Sequence, residues 1–232
     1  MRSWLTEQQP DVVHINCLPH LRGAEAAHSL GLPTVWHVRE ILPPGPRRRW
    51  FAGRLQRHAT RIVAVSEAVA GWLREEGVGN VEVVHNGVQA PADMLDRHAV
   101  RERFGLPRKA MIVGLFSQLV QHKGALDFVR AAHAAVVENS ALHFVIAGHG
   151  PGSFAGRVAR EIGTGPVADH IHVVPPQSAI WELLAAVDVL ALPTLWPDPF
   201  PRSVMEAMAA GLPVVAYADG GVPEMVVDGE TG

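Results

Sequence analysis

The sequence predicts an α/β fold of two parallel-sheet units, and three observations carry that expectation. Short apolar runs rich in Val and Ile alternate with longer stretches of helical spacing along the whole chain. This β-α-β-α rhythm is that of parallel strands covered by crossover helices on both faces of a sheet. The rhythm pauses once, at the polar residues 89–100, which include Pro91 and several charges and show no strand pattern. A length of 232 residues fits two modest domains but not two large ones.

In the first series, strands are expected at Val12–Ile15 after Pro10-Asp11, at Thr34–Val38 after Gly31-Leu32-Pro33, at Arg61–Val65 and at Val81–Val84. Ala68–Leu73 has helical spacing. The few residues before the first strand leave no room for an earlier element. In the second series, strands are expected at Met111–Phe116, His143–Ala147, His172–Val174, Val187–Leu192 and Val214–Tyr217, with helical patterns at Leu126–Val137 and Ser203–Ala210. The resulting division is a first domain at 1–88, a linker at 89–105 and a second domain at 106–232. The first series is short for a doubly wound domain, and the chain stops in a turn at Gly229-Glu230-Thr231-Gly232. Elements are expected to be missing at both ends; the alternative is that a smaller sheet suffices.

Composition narrows the function classes. With 48% hydrophobic and 19% charged residues the chain reads as a soluble globular protein. A net charge of −3 gives no field for capturing nucleic acid phosphates. The single cysteine, Cys17, cannot form an internal disulfide, which points to a reducing compartment and a cytoplasmic location. Asp188 interrupts the best apolar stretch before it reaches bilayer length, and no charged-then-apolar signal segment opens the chain.

Open parallel sheets bind ligands at the carboxyl ends of their strands. After Met111–Phe116 comes Ser117-Gln118-Leu119-Val120-Gln121-His122-Lys123-Gly124, opening a helix. Lys123 beside a helix N-terminus suits a phosphate, because free N–H groups and a partial positive charge add to the ammonium. A solvated lysine before a capping glycine fits the spacing equally well. After His143–Ala147 comes Gly148-His149-Gly150-Pro151-Gly152, whose glycines let a backbone approach a ligand closely. Tight strand-to-helix turns use glycine anyway, and the spacing is not GxGxxG. The third feature runs from Asp198-Pro199-Phe200-Pro201-Arg202-Ser203 through Glu206 to Gly211-Leu212-Pro213. Asp198 precedes a helix, Pro201 suits its first turn, Glu206 lies near its second, and Gly211 ends it. Two carboxylates brought to one cleft would accept strong hydrogen bonds from a hydroxyl-rich ligand. In isolation, capping by Asp198 and a surface Glu206 is the preferred reading.

Taken together, the chain resembles the retaining GT-B glycosyltransferases of family 4, the glycosyl transferases group 1. The resemblance rests on Asp198–Gly232 with its Asp219-Gly220-Gly221-Val222-Pro223-Glu224 run, on the Gln118–Gly124 loop, on Ala147–Pro151, on Asn86-Gly87-Val88 and on Ala64-Val65-Ser66-Glu67. It implies two Rossmann-like domains facing a cleft, an incomplete N-terminal one for the acceptor and a C-terminal one for a UDP- or GDP-type sugar donor. Lys123 matches the diphosphate-binding lysine, and Glu206 the second acid of the E-x7-E motif, which bonds the ribose. Asp198 stands at the first acid, which contacts the donor sugar. The main chain of Phe200, Pro201 and Arg202 would face the diphosphate, that of Val174–Gln177 would frame the base, and Gly148 and Gly150 would line the donor site. The resemblance implies no cofactor and no metal, and the sequence fits: it has no Asp-x-Asp, and its 13 histidines are scattered. A part in cell-envelope polysaccharide synthesis and an unidentified acceptor complete the expectation.

Three departures stand out. The first acid is Asp198 rather than Glu, shortening its reach by one methylene. Gln118 replaces an arginine, which removes a cation that Arg202 is a candidate to supply. Arg39 and Glu40 stand at a His-acidic pair expected near the donor sugar, with His37 two residues earlier. Residues 37 and 39 of one strand share a side, so either could face the cleft; a buried His37 is the competing reading. A non-catalytic nucleotide-sugar-binding fragment and a GT-B-fold epimerase are the alternative functions, and the Gly211–Val215 and Pro223-Glu224 runs favour the transferase. Gly45-Pro46-Arg47-Arg48-Arg49-Trp50-Phe51 mixes bases with aromatics and suits anionic lipid; a helix start with Trp50 and Phe51 packed inward is preferred.

Overall fold

The computed structural model describes residues 1–92, 95–164, 166–174 and 180–232. The chain divides into two compact units. Unit 1 comprises Met1–Asn86 with Pro197–Phe200 and Asp219–Glu224; unit 2 comprises Gly87–Trp196, Pro201–Ala218 and Met225–Gly232.

Unit 1 runs α1 (Arg2–Gln8), β1 (Val13–Asn16), α2 (Leu21–Ser29), β2 (Thr34–Val38), α3 (Pro46–His58), β3 (Arg61–Ala64), α4 (Glu67–Glu75) and β4 (Val81–Val83). The helix α1 corrects the expectation that nothing could precede the first strand; it turns in seven residues and buries Leu5. The four strands pair in parallel in the order β1-β2-β3-β4. Crossovers of one hand in that order put every connecting helix on the same face. That face holds the core: Ile15, Trp36 and Ile62 lie side by side in register, packed with Ala24, Leu55, Val69 and Leu73. The opposite face, with His14, Val35, His37 and Val63, is exposed or half-buried. The expectation of helices on both faces therefore fails in this unit, because the strand order never reverses.

Unit 2 runs α5 (Arg97–Arg103), β5 (Met111–Phe116), α6 (Ala125–Glu138), β6 (Leu142–Ala147), α7 (Gly152–Ile162), β7 (Ile171–Val174), α8 (Ile180–Ala186), β8 (Val189–Leu192), α9 (Arg202–Ala209) and β9 (Val214–Ala216). Its parallel sheet has the order β7-β6-β5-β8-β9. The order reverses between β5 and β8, so α6 and α7 cover one face and α8 the other, where it packs on α5. The stretch read as a linker at 89–105 thus contains a helix. Its anchor is Arg101, 3% exposed. Arg101 donates to the carbonyls of Ala186, Arg108 and Ala110 and to the Asp188 carboxylate, at 2.7–3.1 Å. The half-buried Asp188 also accepts the Ile112 amide at 2.8 Å and pairs with Arg97, so the carboxylate ties α5 to the amino ends of β5 and β8.

Candidate functional site

The reversal between β5 and β8 in unit 2 opens a crevice at the carboxyl ends of two neighbouring strands, the place where doubly wound sheets bind ligands. The loop after β5 carries Gln118, exposed, and Lys123, half-buried in the 3-10 turn Gln121–Lys123. The loop after β8 is latched to it. Leu195 N and Thr194 Oγ1 both donate to the His122 carbonyl, at 2.8 and 3.3 Å. Gly124 ends the turn and begins α6 at φ +73°, and a Cβ there would lie 1.7 Å from the Pro193 carbonyl oxygen. Only glycine suits this position.

The glycines after β6 serve a similar end. A Cβ on Gly148 would lie 1.7 Å from the Ser117 oxygen, and one on Gly150 2.1 Å from the Leu119 oxygen. The Leu119 amide donates to the His149 carbonyl at 2.6 Å. What these glycines approach is the neighbouring loop, which they hold in place beneath Gln118.

Helix α9 follows the β8 loop. Pro201 is its N-cap residue rather than part of its first turn, and this cap offers its leading amides no side-chain acceptor. The same holds for α6, capped only by Gly124. Two helix N-termini with side-chain-uncapped amides therefore follow adjacent strands, each beside a cation, Lys123 or Arg202. Glu206, in the second turn of α9, is buried at 5% exposure, not a surface acid. Arg202 Nε donates to its Oε1 at 2.8 Å. A hollow of about 270 Å³ at the ends of β5 and β6 is lined by Gln118, Gly148, His149, Ile180 and Leu183, among others. Val174 closes β7 and is buried; the remainder of the expected base-framing segment, 175–177, lies outside the described residues.

Unit 1 holds the other expected residues. Asp198 lies in the segment Pro197–Phe200, and its carbonyl accepts the Gly221 amide at 2.8 Å. The half-buried Phe200 packs on the unit 1 core and stacks on His85, with ring centroids 4.7 Å apart and planes at 13°. His37 is half-buried and stacks on His14 at 6.1 Å. Burial, the Arg39 guanidinium and His14 all lower its pKa, favouring the neutral imidazole. Strand β2 ends at Val38, so Arg39 lies beyond it and the shared-side argument does not extend to that exposed residue. Glu40 turns inward instead. Its carboxylate accepts the amides of Leu18, at 3.0 and 3.2 Å, and Arg39, at 3.0 Å. It thereby braces the turn where Cys17 adopts φ +73°. Burial, and then Glu40, raise the Cys17 pKa. In the Gly45–Phe51 segment, Phe51 packs inward while Trp50 stays 47% exposed, so the inward reading holds for one aromatic only.

Gln118 and Lys123 thus follow β5, Gly148 and Gly150 follow β6, Val174 ends β7, and Pro201, Arg202 and Glu206 lie at the start of α9 after β8, all in unit 2. The structure places His37, Arg39, Asp198 and Phe200 with unit 1. Glu40, expected with Arg39 at the His-acidic pair, instead holds the turn at Cys17–Leu18, and the sequence reading assigned no separate role to His85 or Glu224, which meet each other at 3.1 Å.

Comparison with known proteins divides the chain between residues 90 and 96. Residues 96–232 match the family model described as glycosyl transferases group 1, and residues 1–90 match glycosyltransferase family 4. The D-inositol 3-phosphate glycosyltransferase of Mycolicibacterium gilvum is 32% identical over 202 residues, 82% of this chain and 44% of that protein. That of Streptomyces scabiei is 33% identical over 199 residues, 77% of this chain and 43% of that protein. The chain spans less than half the length of these relatives. Anabaena HepE, solved with UDP and glucose, matches with a TM-score of 0.83 at 25% identity, covering 98% of this chain and 64% of that one. TarM matches in fold, with a TM-score of 0.79 at 16% identity, covering 100% of this chain and 46% of that one. The two parallel-sheet units are those of GT-B glycosyltransferase structures.

Proposed function

The chain belongs to the glycosyl transferases group 1 family, and we propose that it takes part in moving a sugar, with retention of configuration, from a UDP- or GDP-type donor to an acceptor hydroxyl. The observation that carries this reading is the pairing, at one topological switch point, of two side-chain-uncapped helix N-termini with Lys123 and Arg202. Such an arrangement is built for a diphosphate. The binding of UDP by HepE and the name of the curated relatives support it.

In this reading Lys123 and the leading amides of α6 and α9 hold the two phosphates. Charge grows on the departing diphosphate, so these donors act most strongly in the transition state. They are fixed before the reaction by the latch between the loops after β5 and β8, so little reorganisation is needed. Glu206, buried and held by Arg202, accepts from the ribose hydroxyls. Asp198 accepts from the sugar hydroxyls, with His37 or Arg39 beside the sugar. Gln118 stands in the phosphate loop, Gly148 and Gly150 line the donor site, and the main chain at Val174 borders the base. The acceptor hydroxyl attacks from the face the diphosphate leaves, with no protein nucleophile. The nucleotide-sugar is a substrate, and no cofactor is assigned. The exposed Trp50 beside Arg49 on α3 suits contact with an anionic lipid surface at the cytoplasmic face of a membrane.

The test is a thermal-shift screen of nucleoside diphosphates and their sugars against the full chain. A ligand at 100 times its dissociation constant adds about 2.7 kcal/mol of stability. A clear shift with UDP or GDP supports the reading, and its absence at millimolar concentration contradicts it.

A further inference from the structure

We infer that Glu224, acting through the Gly220-Gly221 pair, is a positioning residue that sets where the Asp198 carboxylate stands; the inference rests on the proposed role of Asp198 against the donor sugar. All the residues concerned belong to unit 1. Helix α4 opens with three amides to satisfy. Ser66 Oγ takes that of Val69 at 3.2 Å. Those of Glu67 and Ala68 go instead to a carboxylate more than 150 residues further along the chain: Glu224 Oε2 at 2.7 Å and Oε1 at 2.8 Å. Glu224 Oε2 also meets His85 Nε2 at 3.1 Å. A carboxylate with three partners at the positive end of a helix is an anchor of fixed geometry.

From that anchor a short rigid turn reaches Asp198. The Glu224 amide donates to the Gly221 carbonyl and the Val222 amide to that of Asp219, both at 3.2 Å. The Gly221 amide donates to the Asp198 carbonyl at 2.8 Å. The two glycines let the backbones touch. A Cβ on Gly220, at φ +59°, would lie 2.3 Å from the Asp198 oxygen, and one on Gly221 2.1 Å from the Pro199 oxygen. Phe200, two residues past Asp198, stacks on His85, and His85 returns to Glu224. The circuit Asp198–Gly221–Glu224–His85–Phe200 therefore fixes the main chain on both sides of Asp198. An aspartate has one side-chain bond fewer than glutamate with which to correct its aim, so main-chain placement decides where its oxygens stand.

The test compares the full-length chain with Glu224→Ala and, as a milder change that keeps one acceptor oxygen, Glu224→Gln. Hydrogen exchange reads the circuit directly. In Glu224→Ala the Gly221 amide is expected to exchange about tenfold or more faster, together with those of Glu67 and Ala68, while the amides of β5 and β6 are unchanged. Glu224→Gln is expected to fall between. Calorimetry with UDP and UDP-glucose as probes reads the consequence. UDP affinity is expected to be unchanged, and the extra affinity of UDP-glucose over UDP to be lost. Acceleration at Glu67 and Ala68 with none at Gly221 would show that Glu224 only caps α4 and would overturn the inference, as would an unchanged preference for UDP-glucose. Failure of the unaltered chain to bind UDP overturns the functional reading itself, whatever the exchange rates show.

Discussion

Glu206 and Arg202 share one hydrogen bond but not one environment. Across the 2.8 Å between them, the guanidinium side chain is 79% exposed and the carboxylate side chain 7%. The guanidinium lies one turn nearer the helix N-terminus, where a diphosphate would add a second negative charge. In the proposed reading Glu206 accepts from hydroxyls while Arg202 also faces phosphate.

This separation of duties has a measurable consequence. Glu206→Gln replaces the charged acceptor proposed for the ribose with a neutral amide and removes no phosphate donor. Loss of hydrogen bonds to a charged group costs about 1.5–3 kcal/mol, roughly 10- to 100-fold in affinity. UDP or GDP affinity should fall by that much in calorimetry while pyrophosphate affinity is spared. Equal losses for both would remove Glu206 from the ribose.

Gly124 is constrained twice, by its φ of +73° and by the Pro193 carbonyl. Gly124→Ala should destabilise the chain by about 2 kcal/mol or more and displace the loop bearing Lys123. Denaturant unfolding and nucleotide affinity should therefore fail together. Unaltered stability would contradict the close approach.

The ion pair of Arg101 with Asp188 anchors α5. Arg101→Met leaves the carbonyls of Ala186, Arg108 and Ala110 without their donor, while Asp188 keeps Arg97 and the Ile112 amide; unsatisfied buried acceptors cost about 1–3 kcal/mol each. Urea unfolding followed on unit 2 should show that loss, and a change below 1 kcal/mol would place the anchor elsewhere.

Acid should weaken unit 2 at a defined place. His143, at the start of β6, stacks on His170 and His172 with centroids 4.5 and 5.3 Å apart. Burial first, then His170 and His172, lower its pKa from 6.5 to about 4. The unfolded chain therefore takes up this proton first as pH falls. Stability is lost from about pH 6.5 down to about 4 and levels off below. His143→Gln should make that slope shallower in thermal unfolding, and an identical slope would contradict the assignment.

The strands were legible because Val- and Ile-rich runs bounded by Gly and Pro leave few alternatives; β5 and β2 have the bounds the sequence suggests. Helix α5 was not, because its anchor is a buried arginine, and a pattern of apolar positions reads arginine as solvent-facing. Helix α1 has a single buried residue, Leu5, too little for a periodic signal. At the site, the places of Lys123 and Glu206, after β5 and near the start of α9, were legible, whereas the burial of Glu206 was not. The use of Gly148 and Gly150 was not, since the partner of a glycine cannot be read from the glycine. The same applies to Glu224, whose contacts at Glu67 and Ala68 only the folded chain brings near.

Lys123 offers the most direct measurement. Calorimetric titration of UDP, GDP, pyrophosphate and uridine into the full chain and into Lys123→Ala separates phosphate recognition from base recognition. The predicted result is binding of a nucleoside diphosphate that weakens roughly 10- to 100-fold in the variant, in step with pyrophosphate, while uridine is unaffected. Equal diphosphate affinity in the two proteins, or no diphosphate binding by either, would contradict the account.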